Sequence, residues 1–373
     1  MKNSSFCSVK IYDRYIFKQV FFATIAAILL FTVVWIAPEM LLNTIKKTLS
    51  GAFGIKTAAL IIFYELPKIL GKAFPVGLLL GTLFTFDKLS KDSELTIFRA
   101  AGLSFWRIAA PVIVLSLIVT YLCFVTYDKL IPASAEKLNA MGSHNPVTQY
   151  IYTQKGENNT PVMAVIVSRY RNKHMNNVVV LNFAPKMYSD VHQLSDIYFA
   201  RTGETLPDKW HLNDITHYKI SNDGIFFDID KIKDMDILQG KSAQNAFTLM
   251  TYATKKEREI NNHDLWNYIK LLKREDLDEE YRYMLNKYLQ RFFHPFVCVL
   301  LAIMGALLGF SRPREHKLVG FTIAIGCIFL YYITLPFFDL LAEKGIMHPF
   351  LTAVFPPAAF LCAIAAFYKS KEL

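Results

Sequence analysis

The 373-residue sequence carries little charge and few cysteines, and its most polar stretch has no cysteine at all. Charged residues make up 19% of the chain against 53% hydrophobic, a balance too apolar for an ordinary water-soluble protein. Of the five cysteines, Cys123, Cys298, Cys327 and Cys362 lie in apolar blocks and Cys7 in the N-terminal tail; none falls between residues 128 and 291. That distribution argues against a disulfide framework and against a thiolate metal site. The nine histidines show neither His-x3-His nor His-Glu-x2-His spacing, and no Gly-x-Ser-x-Gly elbow occurs, so zinc-hydrolase and serine-hydrolase chemistry lack their signatures. His211 and His217 read as strand-surface residues, not ligands. Gln239-Gly240-Lys241-Ser242 looks like the end of a phosphate-binding loop, but that pattern needs glycine at 235, where Met235 stands. The formal charge of +10 comes from basic residues that flank apolar blocks. They form no patch interleaved with aromatics, so nucleic acid is not expected as a partner.

What is present is a series of apolar blocks. Residues 20–37, 108–127, 292–311, 318–338 and 345–368 are each bracketed by charge and close to the ~20 residues that cross a bilayer. The basic lead of the first block (Lys10, Arg14, Lys18) resembles a signal peptide, but the run is long and no small-x-small site follows Ala37, so a retained helix is expected. A sixth block is less regular: residues 73–86 are too short alone, and the apolar stretch before them, from Thr57, carries Pro67, Pro75 and the charges Glu65, Lys68 and Lys72. Those three charges share one helical face, which fits either a cavity wall or the headgroup layer. With the N-terminus cytoplasmic, the inside segments hold thirteen Lys and Arg against four in the short outside loops. The positive-inside rule then places both termini in the cytoplasm and residues 128–291 outside.

The expected fold is therefore a membrane protein with six transmembrane α-helices, three before and three after an inserted all-β domain. Short runs rich in Val, Ile, Tyr and Phe at 161–169, 177–183, 195–202, 210–220 and 224–229 predict a sandwich or jelly roll. Residues 254–291 turn to helical periodicity, with Asn262 and Asp264 as candidate caps, and predict an amphipathic connector. The expected divisions are 1–127, 128–253, 254–291 and 292–373.

The loop between the second and third spans, about residues 90–103, carries the most informative pattern. Asp92 or Ser93 can cap a short helix, Gly102 can end it in the left-handed conformation, and Ser104 can cap the third span. Ile97, Ala101, Glu94 and Phe98 fall on one arc with Leu95 at its edge. An acid inside an apolar arc suggests a docking surface for a partner protein; a helix lying on the bilayer is the competing reading.

The chain resembles the lipopolysaccharide-export permeases of the LptF/LptG type along essentially its whole length. The resemblance rests on Asp13-Arg14-Tyr15-Ile16, Phe74-Pro75 before a small-residue-rich span, Ser93-Glu94-Leu95 with Ala101-Gly102, the β insert, residues 265–270 and Pro356-Pro357. It implies a non-catalytic permease in the bacterial inner membrane. Such a subunit pairs with a second permease of the same family over a cytoplasmic ATPase dimer. It binds no cofactor itself, ATP being used by the partner subunit. Lipopolysaccharide passes from the cavity between the permeases through jelly-roll domains to a single-span periplasmic bridge protein. The resemblance makes Ser93, Glu94, Leu95, Phe98 and Arg99 the ATPase-coupling set, with Glu94 the coupling acid. Lys46 and Lys47 match the basic residues that meet the lipid's phosphates, and Lys68 and Lys72 are candidate additions where Glu39 replaces a further lysine of some members. Two other readings compete: a membrane-bound enzyme acting on envelope lipids, and an anchored periplasmic ligand-binding protein.

Overall fold

Leu, Ile, Val, Phe and Ala dominate the apolar blocks, and in hydrocarbon a helix is the form that satisfies every backbone N–H and C=O within one segment. The computed structural model describes residues 11–36, 42–50, 54–141, 150–155, 160–171, 173–185, 192–206, 208–221, 225–253, 255–310 and 318–370. Its helices are α1 (Ile11–Ile36), α2 (Leu42–Leu49), α3 (Ile55–Lys91), α4 (Glu94–Ala100), α5 (Phe105–Val125), α6 (Ile131–Ala140), α7 (Lys241–Ala253), α8 (Asn262–Arg274), α9 (Asp278–Gly309), α10 (Leu318–Glu343) and α11 (Pro349–Ser370). Among the described residues six helical stretches are long and apolar enough to cross a membrane; in chain order three precede the strands and three follow.

The irregular second block is one continuous helix. α3 runs for 37 residues through Pro67 and Pro75, about 56 Å at 1.5 Å per residue, so it outreaches a hydrocarbon core of about 30 Å. The third span likewise continues past residue 127, through a π turn at Thr126–Leu130 into α6. The fourth begins well before residue 292, at Asp278. Charged residues mark where apolar composition stops, but nothing in them stops a helix once its end leaves the apolar layer.

The chain divides into two compact units, one formed by residues 1–143, 257–269 and 276–373, the other by residues 144–256 and 270–275. In the helical unit α3 packs against α1 and α9 around a core that includes Leu78, Leu79, Phe86, Ile108, Val112, Met304 and Leu307. Glycine permits that close approach at two points. A Cβ on Gly81 would lie 2.6 Å from Thr24 Cα, and one on Gly305 would lie 2.5 Å from the Leu79 carbonyl oxygen. The outer helices turn large apolar side chains outward, among them Leu30, Val33, Phe329 and Ile333, each more than 60% exposed, which suits lipid and not water.

The second unit is a sheet with strands in the order β1 (Tyr150–Lys155), β2 (Pro161–Arg171), β3 (His174–Pro185), β4 (His192–Thr205), β5 (Lys209–Ile220) and β6 (Phe226–Gln239), every neighbouring pair antiparallel. This is one meander, where the sequence predicted two packed sheets of a sandwich or jelly roll; short connections favour pairing of consecutive strands. β6 extends far beyond the expected 224–229, whose first residue lies outside the described residues. Its continuation reads as polar because the strand sits at the sheet edge, where charges are tolerated and discourage further pairing. Those charges pair across the ladder: Lys209 Nζ lies 2.8 Å from Asp236 Oδ2, and Lys219 Nζ 3.3 Å from Asp228 Oδ2. His217 is buried, not a surface residue; it stacks on Tyr198 at 4.2 Å and bonds Asp196 Oδ1 at 2.8 Å.

Both faces of this sheet are apolar. One buries Val165, Val180 and His217, and Val167, Val178, Ala200 and Ile215, along two cross-strand rows. The other carries Ile151, Ile166, Val179 and Phe199 in one row and Leu181, Ile197, Tyr218 and Ile229 in the next; Ile151, Phe199 and Ile229 are exposed.

Candidate functional site

The loop helix α4 is built by local signals at both ends, although not entirely the expected ones. α3 stops because Ser93 turns left-handed (φ 61°), and its side chain makes no capping bond to α4. The expected Asp92 or Ser93 cap is thus absent as a side-chain interaction; Ser93 acts by breaking the helix. At the other end Gly102 is left-handed (φ 79°), its N–H donating to the Arg99 carbonyl at 2.9 Å while the Leu103 N–H donates to the Phe98 carbonyl at 3.1 Å. These paired bonds form a Schellman motif. Ser104 then caps α5, its hydroxyl accepting from the Arg107 N–H at 3.4 Å.

α4 divides its residues between the bundle and solvent. Leu95 is buried, and Phe98 packs on the core and lies 5.9 Å from the Tyr12 ring. Thr96, Ile97, Arg99, Ala100 and Ala101 are exposed, Ile97 by 64%. The predicted arc is therefore split: Phe98 turns inward with Leu95, and Ile97 and Ala101 turn outward beside Arg99. Arg99 also lies 5.7 Å from the centre of the Phe310 ring. Glu94 stands at the edge of the outward face, and its Oε1 accepts a hydrogen bond from the Tyr15 hydroxyl at 2.9 Å. Sequence reasoning gave Tyr15 no role beyond its tetrapeptide. No local pattern could have done so, because its partner is 79 residues away.

The candidate lipid-contacting lysines are in different environments. Lys46 is exposed on α2. Lys47 is in the same helix, but its side chain lies outside the described residues, as does Glu39. Lys68 sits between two carboxylates, 3.5 Å from Glu65 and 3.6 Å from Glu259. The Glu65–Lys68 pair bears out their common helical face, and the second acid means the charge of Lys68 is already compensated. Lys72 is half-buried, and its backbone carbonyl accepts from the Tyr332 hydroxyl at 2.9 Å.

Two buried polar networks in the same unit had no sequence signal. Arg291 donates to the Ile260 carbonyl (2.8 Å), to Asn262 Oδ1 (2.9 Å) and to the Glu257 carbonyl, fastening residues 257–262 to α9. Asp128 adds a bond from the Asn262 N–H at 3.0 Å. The cap of α8 is Asn261, one residue before the expected Asn262; its Oδ1 accepts the Asp264 N–H while its amide donates to the Asp264 carboxylate. The second network centres on Asp339 of α10, which accepts from Asn286, Lys287 and Gln290 of α9. Thr352 of α11 donates to Asn286 Oδ1 at 2.9 Å.

Six apolar spans, a doubly anchored loop helix and a separate strand unit define a multi-pass membrane protein. The chain belongs to the lipopolysaccharide export system permease family LptF/LptG, which it matches over residues 14–370. It is 22% identical over 361 residues to the lipopolysaccharide export system permease protein LptG of Escherichia coli K12, an alignment covering 93% of this chain and 95% of that protein. The LptG protein of Escherichia coli O6:H1 matches at the same identity and coverage. Family membership points to a transport subunit without catalysis of its own.

Proposed function

We propose that this chain is the transmembrane permease subunit of an ATP-driven extractor that moves lipopolysaccharide out of the inner membrane toward a periplasmic bridge. The carrying observation is α4: a short helix set off by the turn at Ser93 and closed at Gly102, with Ile97, Ala100 and Ala101 outward and an acid at their edge. Such a surface suits a groove in a cytoplasmic ATPase, with Glu94 facing a cation there and Leu95 and Phe98 tying the movement to the bundle. The remaining partners of the assembly are a second permease of the family, a dimer of that ATPase and a single-span bridge protein. The Lys and Arg bias supports cytoplasmic termini and a periplasmic strand unit.

Lipopolysaccharide presents phosphates at the membrane surface and acyl chains below. Lys46 supplies exposed positive charge on α2, and Lys47 follows it in sequence; a lysine near a headgroup layer contributes about 1 kcal/mol. Lys68 contributes less, because Glu65 and Glu259 hold it. The apolar face carrying exposed Ile151, Phe199 and Ile229 suits passage of acyl chains along the strand unit.

The test is gentle detergent extraction of the full chain from its native membrane. An ATPase chain and a second permease should co-purify, and Glu94→Ala should lose the ATPase chain or its lipid-stimulated hydrolysis. Recovery of a lone chain with full transport activity overturns the proposal, and wild-type behaviour of Glu94→Ala returns α4 to the bilayer surface.

A further inference from the structure

The first turns of α1 reach the loop region through four separate contacts. Tyr15 donates its hydroxyl to Glu94 Oε1 at 2.9 Å. Tyr12 packs on Phe98, with ring centres 5.9 Å apart. Asp13 Oδ2 lies 2.7 Å from Nη2 of Arg107, which follows α4 at the start of α5. The Arg107 guanidinium in turn lies 5.1 Å from the centre of the Tyr12 ring. The partners are 79 and 94 residues apart for the two polar contacts, so these bonds fix tertiary placement and not local helix geometry.

α4 needs such support. It has seven residues, far below the length at which an isolated helix persists in water, and its N-cap residue gives it no side-chain bond. Its Schellman end holds the last turn only. The direction of the Glu94 carboxylate is therefore set by what touches it, and the Tyr15 hydroxyl touches it at 2.9 Å.

We infer that the first turns of α1 are a positioning clamp for α4, in which Tyr15 orients the Glu94 carboxylate while Tyr12 and the Asp13–Arg107 pair hold the helix against the bundle. The clamp rests on the proposed function only for its consequence, that a force applied to α4 by an ATPase is delivered to the first span as well as to α3. Tyr15 and Arg107 are positioning residues: they act through Glu94 and through the helix base.

The test uses the full chain in detergent and reads hydrogen–deuterium exchange of the backbone amides of residues 94–103, alongside recovery of the ATPase chain. Tyr15→Phe removes one hydroxyl and should speed that exchange about fivefold, the value of one net hydrogen bond. Glu94→Gln, which keeps an oxygen to accept the Tyr15 hydroxyl, should speed it less. The double variant Tyr15→Phe with Glu94→Gln should add nothing beyond Tyr15→Phe. Asp13→Asn should also speed exchange and serves as a second readout if Tyr15→Phe folds poorly. Unchanged exchange in both Tyr15→Phe and Asp13→Asn, or additive effects in the double variant, overturns the clamp. The two claims separate cleanly. Loss of protection with no ATPase chain recovered from wild type leaves the clamp standing and removes the docking role of α4; recovery with unchanged protection does the reverse.

Discussion

Arg291→Met tests whether a buried guanidinium holds the helical unit's polar corner together. Arg291 is 7% exposed and is the shared donor for two backbone carbonyls, Ile260 and Glu257, and for Asn262 Oδ1. Methionine fills similar space but donates nothing, so three acceptors lose their partner. An acceptor left unsatisfied in a buried site costs about 1–3 kcal/mol, and partial access of water to the segment brings the sum to roughly 3–4 kcal/mol. For a chain of this size that corresponds to a fall of roughly 4–5 °C in unfolding midpoint. Arg291→Lys should lie between, because one ammonium cannot reach all three acceptors. The assay is thermal unfolding of the full chain in detergent, with exchange of residues 255–262 as the local readout. A Met variant within about 1 °C of wild type, with unchanged exchange there, would refute the claim that this side chain fastens the segment.

Other outcomes follow from the same structure. Gly305→Val should abolish stable packing of α9 on α3, since even a Cβ would press on the Leu79 carbonyl oxygen; size-exclusion chromatography in detergent reads it as loss of the monodisperse peak. Reversing Lys46 and Lys47 to Glu should reduce lipopolysaccharide crosslinking about thirtyfold or more, about 2 kcal/mol for the two lost charges, whereas Lys68→Gln should lower thermal stability more than crosslinking. Equal loss of crosslinking in the two variants contradicts that division. Asp236 is held below the usual carboxylate range by its bond from Lys209 and then by His211. Its stabilisation is therefore full above the unfolded carboxylate value and disappears as pH falls through the lower folded value. Circular dichroism of the sheet should lose an acid-side step, below about pH 4, in Asp236→Asn.

Sequence made the spans readable because apolar composition over about 20 residues is a local property that lipid enforces directly. The loop between spans was equally local: Gly102 and Ser104 do what their types predict. What composition could not reveal were ends and partners. The second span reads as the least regular of the six, with Pro67 and Pro75 among its charges, yet α3 continues through both prolines, packed against α1 and α9. β6 was cut short because its alternating aspartates look like loop until their partners Lys209, His211 and Lys219 are seen across the ladder. The order of the strands was not legible for a related reason: alternation identifies a strand and says nothing about which strand lies beside it. Tyr15, Arg291 and Asp339 act over 29 to 79 residues, a distance at which a single sequence carries no pairing signal.

α3 joins the two ends on which the proposed function depends. In its first half it carries Glu65, Lys68 and Lys72, and at its end Ser93 turns the chain directly into α4. Its second half is mostly buried, packed without room for a methyl group where Gly81 faces Thr24 and where Thr82 faces Gly305. A helix so confined moves with its neighbours or not at all, because close-packed interiors transmit displacement instead of absorbing it. The 37-residue length then has a mechanical meaning. Under the proposed function, movement of α4 would be delivered along α3 to the charged residues of its first half, with α1 and α9 moving in company. Phe84→Gly, at an exposed position of α3 that spares the close contacts, should loosen the helix and weaken lipid-stimulated hydrolysis while leaving ATPase recovery intact. Retained stimulation in that variant would mean that the signal travels through α1 or α9 instead.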